Sequence, residues 1–114
     1  MYDAVLASQL AGVEAVRAGA TAGDVDYACR NVLRRAKLDR YFTHSTGHGV
    51  GLEIHESPRL ARNQETPLAE GMVVTIEPGV YVEGKGGVRI EDMVAVTEEG
   101  CDVLTPVSKE LIVL

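Results

Sequence analysis

The stretch Thr43 to Glu56 (THSTGHGVGLEIHE) constrains this chain more than any other. It holds all three histidines of the 114 residues, His44, His48 and His55, separated mostly by small residues. Glycines at 47, 49 and 51 let the backbone pass close to a neighbour and leave His48 free of bulky flanking side chains. Two later segments answer it, Val73 to Gly79 (VVTIEPG) and Gly87 to Asp92 (GVRIED). Each sets a carboxylate, Glu77 or Glu91, in an otherwise apolar run, where an unpaired charge is costly. One imidazole and two buried carboxylates are the donor types that a divalent metal takes.

The rest of the chain supplies a scaffold for that stretch. From Tyr2 to Arg17, Val5, Leu6, Val13 and Val16 recur at helical spacing, and Gly19 is the expected C-cap. Thr21 then opens a second helix, with Asp24 three residues on in a capping-box arrangement. Val25, Ala28, Cys29, Val32, Leu33 and Ala36 line one face of it. Arg30, Arg34, Arg35 and Lys37 lie mostly off that face. They read as a solvated surface with charge compensation at the helix end, rather than as a site for an anionic partner. The expected helices therefore cover about residues 2–18 and 22–37.

Past Phe42 the pattern changes. Ser57-Pro58 and Arg59 to Thr66 read as a polar connection, and Met72 to Ile76 as a strand buried on both faces. Glu77-Pro78-Gly79 breaks that strand, since proline cannot donate to the ladder. Val80 to Val82 continues extended, and Gly84 to Gly87 is a flexible turn. Val88 to Val96 is another strand, Glu98 to Gly100 a turn, and Cys101 to Leu104 a short return strand. The tail, Lys109 to Leu114, is expected to pack as a final strand or edge. The expected plan is one α+β domain over residues 1–114, two helices followed by a mostly antiparallel sheet, with the metal site and sheet in residues 41–114.

Composition removes several classes of function. Hydrophobic residues at 46% and charged residues at 25% fit a globular chain rather than a disordered one. A net charge of -6 with no dense stripe of Lys and Arg argues against a general nucleic-acid surface. No apolar run approaches the roughly 18 residues that span a bilayer. The segment Met1-Tyr2-Asp3-Ala4 lacks the basic-then-apolar pattern of a signal peptide. Cys29 and Cys101 have no motif spacing and read as reduced, partly buried thiols, so a cytoplasmic location is expected.

Strand parity sharpens the chemistry. Successive side chains alternate faces, so Arg89 and Glu91 point one way and Ile90 the other, while Thr75 and Glu77 share a face. On neighbouring strands Glu77 and Glu91 would converge, and their like charges would repel unless a cation sat between them. The alternative is that each carboxylate pairs with an arginine, Arg89 being the obvious one. Two glutamates in apolar strands together with a glycine-flanked histidine favour the metal. Oxygen donors with one imidazole suit Mn²⁺, Co²⁺, Fe²⁺ or Zn²⁺. His55-Glu56 is not an HExxH zinc helix, because no second histidine follows. The glycines of 47–51 miss dinucleotide-loop spacing, and Gly84 to Gly87 is not a P-loop. No Ser-His-Asp or Cys-His arrangement stands out.

These motifs carry a resemblance. His44 to Glu56, Gly71 to Tyr81 (GMVVTIEPGVY) and Gly87 to Asp92, with the closing Thr97 to Thr105 and Lys109 to Ile112, resemble the C-terminal half of the catalytic domain of the M24, or pita-bread, metallopeptidases. The wording Glu77-Pro78-Gly79-Val80-Tyr81 and Arg89-Ile90-Glu91-Asp92 favours the proline-directed branch, aminopeptidase P and Xaa-Pro dipeptidase (prolidase), over methionine aminopeptidase. The resemblance spans essentially the whole chain.

It implies hydrolysis of Xaa-Pro bonds by a dinuclear metal site, most readily two Mn²⁺, or Co²⁺, Zn²⁺ or Fe²⁺. His48 and Glu77 would each bind one metal and Glu91 would bridge both. A water or hydroxide held between them would attack the scissile carbonyl. Glu77 would also carry protons, His55 and His44 would sit beside the substrate, and Arg89 would orient Glu91. The family pattern also includes two metal-binding aspartates upstream of the histidine motif. This chain begins after them, and Asp3, Asp24, Asp26 and Asp39 lie on or beside helices. The chain alone is therefore expected to hold at most one metal weakly and to be inactive by itself. Expected partners are a peptide substrate and either a second copy or the missing N-terminal half, with no nucleic acid and no membrane. The rival expectations are a methionine aminopeptidase-type enzyme and a non-catalytic pita-bread-like interaction module.

Overall fold

The computed structural model describes residues 1–114. Helix α1 spans Tyr2–Ala15 and α2 spans Ala22–Arg35, with a short 3-10 turn at Asp39–Tyr41. The capping box at α2 is formed as its sequence suggests. The Thr21 hydroxyl accepts from the Asp24 N–H at 3.0 Å, and the Asp24 carboxylate accepts from the Thr21 N–H at 3.0 Å. Two donors left orphaned at a helix start are thereby satisfied. Helix α1 stops sooner than its periodicity suggests. Val16 turns extended, and Gly19, at φ +92, shapes the turn behind the helix rather than its cap. Lys37 closes α2 in the left-handed region at φ 61, with the Leu38 N–H reaching back to the Leu33 carbonyl at 2.8 Å.

Seven strands follow: β1 (Gly47–Gly49), β2 (Glu56–Leu60), β3 (Val73–Ile76), β4 (Gly79–Val82), β5 (Gly86–Arg89), β6 (Asp92–Val96) and β7 (Cys101–Val103). Five of them form an antiparallel sheet in the order β2-β1-β3-β6-β7, and β4 pairs with β5 as a separate hairpin. The α+β plan of two helices and a mostly antiparallel sheet is therefore observed, with three differences in detail.

Glu56–Leu60, read from sequence as part of a polar connection, is strand β2. It lies at the edge of the sheet, where the missing N–H of Pro58 is tolerated. Its inward residues are Pro58 and Leu60, and Ser57 and Arg59 face out. The single strand expected over Val88 to Val96 is two, β5 and β6, which belong to different sheets and leave Ile90 and Glu91 between them. The tail from Lys109 to Leu114 is neither strand nor edge, and Leu111 to Leu114 are exposed.

The register divides the sheet into two unlike faces, because directly opposed residues of an antiparallel pair point the same way. Val74 opposes Val94 and Ile76 opposes Asp92. These four look toward the helices: a Cβ added at Gly12 of α1 would lie 2.4 Å from Cys29 Sγ of α2 and 2.8 Å from Ile76 Cγ2. Val74, Ile76, Val94 and Val96 join Val5, Val25, Cys29 and Leu33 in one buried core. The opposite face carries Thr75 and, as the alternation runs past the strand ends, Glu77 and Glu91.

The polar side of α2 is not the solvated surface its arginines suggest. Arg34, Arg35 and Lys37 are exposed, but Arg30 is only 7% exposed. Its Nε donates to the Asp26 carboxylate at 2.7 Å, and its other nitrogens donate to the carbonyls of Phe42 and His44 at 3.1 and 2.8 Å. The guanidinium also stacks over the Phe42 ring, 4.1 Å from its centroid. Asp26 uses its second oxygen to accept from the Thr46 hydroxyl at 2.8 Å. Helix α2 thus grips the segment from Phe42 to Thr46 that delivers the histidines.

Candidate metal centre

His48 sits at the middle of β1, and the glycines beside it are required by close packing. A Cβ at Gly47 would lie 1.8 Å from the Thr75 carbonyl oxygen, and one at Gly49 would lie 2.0 Å from that of Ser57. Both are impossible contacts, so any larger residue would pry β1 away from its neighbours. The His48 N–H donates to the Thr75 hydroxyl at 3.1 Å, which places the imidazole on the outer face with Glu77 and Glu91.

His48 Nδ1 lies 2.8 Å from the Gly49 carbonyl, which can only accept, so Nδ1 carries the proton. Nε2 faces Glu77 Oε2 at 3.4 Å. Glu77 is largely shielded and Glu91 is not: the side chain of the first is 14% exposed and that of the second 43%. The sequence reading of two buried carboxylates within strands is corrected: Glu77 is mostly shielded but lies just past the end of β3, and Glu91 lies at the open rim between β5 and β6. Its carboxyl is nevertheless pushed up, by burial first and then by the charge and hydrogen bonding of Glu77, against the opposing pull of Arg89 and His48. Arg89 Nε stands 3.7 Å from Glu91 Oε2, so the arginine partnership also exists, on the exposed side.

The other two histidines are placed differently. His55 is exposed and packs edge-on against the His48 ring, with centroids 4.6 Å apart. His44 is held from both ends: Nδ1 donates to the Ser45 carbonyl at 2.8 Å, and Nε2 accepts from the Tyr81 hydroxyl at 2.9 Å. Gly79 makes this possible, since a Cβ there would lie 2.5 Å from the Tyr81 oxygen. A cavity of about 280 Å³ is lined by His44, Ser45, His48, His55, Glu77 and Arg89, which gathers every candidate residue but Glu91. A second of about 310 Å³ shares Ser45, His48 and His55 and adds Glu56, Ser57 and Arg59. The largest cavity, about 510 Å³, lies elsewhere, between α2 and residues 62–65, and holds none of the three histidines. Sequence reasoning missed Tyr81 and Arg59 as site residues. Only the pairing of β2 with β1, which opposes Arg59 to His48, brings Arg59 there.

The donor set fits a divalent cation in kind. One imidazole and one carboxylate stand side by side, and a second carboxylate is crowded against the first. It is incomplete in count: nowhere in the chain do three or more His, Cys, Asp or Glu side chains stand together at coordinating geometry.

Two helices and an antiparallel sheet thus carry His48 and Glu77 side by side on the outer sheet face, with Glu91 at its rim. The model of metallopeptidase family M24 matches residues 1–98, and the chain belongs to that family, whose members use a divalent metal. It is 50% identical over 112 residues to the Xaa-Pro dipeptidase of Pyrococcus furiosus, covering 98% of this chain and 32% of that protein. The structure of the Xaa-Pro dipeptidase from Bacillus anthracis superposes with a TM-score of 0.97 at 51% identity, over 99% of this chain and 32% of that one. The prolidase from Pyrococcus horikoshii gives 0.94 at 49% identity, over 97% and 32%. The fold is thus that of the C-terminal portion of the pita-bread domain, and the chain spans about a third of the length of these relatives.

Proposed function

We propose that this chain is the C-terminal, metal-binding portion of an M24 peptidase that hydrolyses Xaa-Pro bonds. The observation that carries the reading is the meeting of His48 Nε2 and Glu77 Oε2 at 3.4 Å on the outer sheet face, with Glu91 crowded against Glu77 from the rim. A cation held among these groups would relieve the repulsion between Glu77 and Glu91. His48, Glu77 and Glu91 are the residues that would hold a divalent metal, with Mn²⁺ the first choice for oxygen-rich donors. Bound there, the metal supplies Lewis acidity toward a carbonyl and lowers the pKa of water.

The chain's own side chains do the rest. Glu77, shielded and beside His48, is placed to take a proton from the attacking water and return it to the leaving amine. His55, open to solvent and packed on His48, is placed to donate to the oxygen on which charge develops. His44 has both ring nitrogens engaged and acts beside the substrate as part of the cavity wall with Tyr81. Arg89 steadies Glu91 from outside. Arg59, exposed, in no ion pair and lining the adjoining cavity, is the cation available to a short peptide's carboxylate. The complete site is dinuclear in this reading, and three donors serve at most one of its metals. The sheet face that bears the site lies away from α1 and α2, and its cover is assigned to the remainder of the domain or to a second copy. Both cysteines are free thiols, with burial pushing Cys29 up to about 12, which fits a cytoplasmic setting.

Titration calorimetry with Mn²⁺ tests the ligand set. The unsubstituted chain is expected to bind with measurable heat, and a Glu77→Ala, Glu91→Ala double variant to bind at least about tenfold more weakly. Equal affinity in the two proteins removes the site. With an Xaa-Pro dipeptide and Mn²⁺ the chain alone is expected to show little turnover; robust hydrolysis by the purified monomer refutes the half-site.

A further inference from the structure

The proposed metal ligand Glu91 stands outside both β5 and β6, where no strand ladder fixes it. The next residue, Asp92, points to the opposite face and is only 4% exposed. An aliphatic residue would pack there as Val94 and Val96 do, so a carboxylate at this position needs a reason. Its surroundings are built to hold it. Gln9 Nε2 of α1 donates to Oδ2 at 2.8 Å, and the Thr105 hydroxyl and Lys109 Nζ donate to Oδ1 at 2.7 and 3.0 Å. Thr105 Oγ1 in turn accepts from the Met93 N–H at 3.1 Å, and the Leu104 N–H donates to the Met93 carbonyl at 2.8 Å. The Tyr2 hydroxyl of α1 donates to the Lys109 carbonyl. Residues 104–109 therefore form a strap tied at both ends, with Asp92 as its knot.

Asp92 also opposes Ile76, the residue before Glu77. A displacement at Asp92 is thus passed along the chain to Glu91 and across the ladder to Glu77.

We propose that Asp92 is a positioning residue for Glu91 and Glu77, and that the strap carrying Thr105 and Lys109 clamps it so that the two glutamates keep their separation. This rests on the ligand reading above. The strap's apolar tail beyond Lys109 has no part in it.

The test compares the unsubstituted 114-residue chain with Lys109→Met, Lys109→Arg and Thr105→Val by backbone and histidine-ring NMR without metal, and by Mn²⁺ calorimetry. Lys109→Met is expected to shift the Glu77 amide and the His48 ring signals and to weaken Mn²⁺ binding about tenfold or more, as loss of a partner that orients a ligand does. Lys109→Arg is expected to restore both, and Thr105→Val to reproduce the shifts without removing the charge. Signals that move only around Asp92 and Met93, with the melting temperature lowered and Mn²⁺ affinity kept, overturn the clamp. A parent chain that binds no Mn²⁺ refutes the ligand set, while the metal-free spectra still decide whether the strap holds Glu77 and His48 in place.

Discussion

Strand β1 and the residues leading into it separate two polar clusters that follow opposite rules. On the helix side, Asp26 and Arg30 are nearly inaccessible, yet every oxygen of the carboxylate and every nitrogen of the guanidinium has a partner, Thr46, Phe42 and His44 among them. On the outer side, His48 stands 3.4 Å from Glu77, Glu77 crowds Glu91, and Arg89 reaches Glu91 only from the rim. The first cluster is complete and therefore structural. The second is electrostatically unfinished, with two carboxylates crowded together.

The sharpest way to break the contrast is to spoil the complete cluster. Asp26→Ala leaves Arg30 buried without its counter-ion and is expected to cost about 3–5 kcal/mol in a denaturant titration. A loss below about 1 kcal/mol would mean that the pair is as incidental as a surface one. Next in size is Gly47→Ala, which forces β1 off β3 and so strikes both clusters through Thr46 and His48. Overpacking of this kind is expected to cost about 1–3 kcal/mol, read in the same titration, and to weaken Mn²⁺ binding as well. Stability lost without any change in metal affinity would show the clusters to be independent.

The smallest effect belongs to the unfinished cluster without metal. The Glu91 carboxyl is raised, so the stability it contributes is present at low pH and is lost as pH rises through its folded-state range. Glu91→Gln cannot lose that proton. In chelator, melting temperatures from about pH 4 to pH 8 are expected to fall more steeply for the parent than for the variant. A difference that does not change with pH would show that Glu77 exerts no repulsion on Glu91.

Much of this was readable in the sequence where the cause is local. Thr21 and Asp24 announce their capping box three residues apart, and the apolar run ending at Ile76 announces β3. Glu77 and Glu91 are expected to converge if their strands are neighbours; in the structure Glu77 follows β3 and Glu91 precedes β6, and those two strands pair. What stayed hidden depends on residues distant in the chain. Arg30 looks like helix surface until Phe42 and His44 return to it, and Asp26 one turn earlier gives no sign that it is the partner. Strand β2 was masked because its period of two is carried by a proline and a leucine between a serine and an arginine, residues that read as a connection. The tail was expected to be a strand on its composition, but its pinning depends on Tyr2 and Asp92, far upstream.

The alternation along β3 and β6 has a consequence for how such a chain tolerates change. Core and chemistry are interleaved one residue apart: Ile76 then Glu77, Glu91 then Asp92. A single inserted or deleted residue in either strand would turn glutamate into the apolar interior and isoleucine out into water. Such a frame error cannot pass as a folded but silent protein, because the slip that removes the donors also dismantles the packing. Folding here proofreads the site.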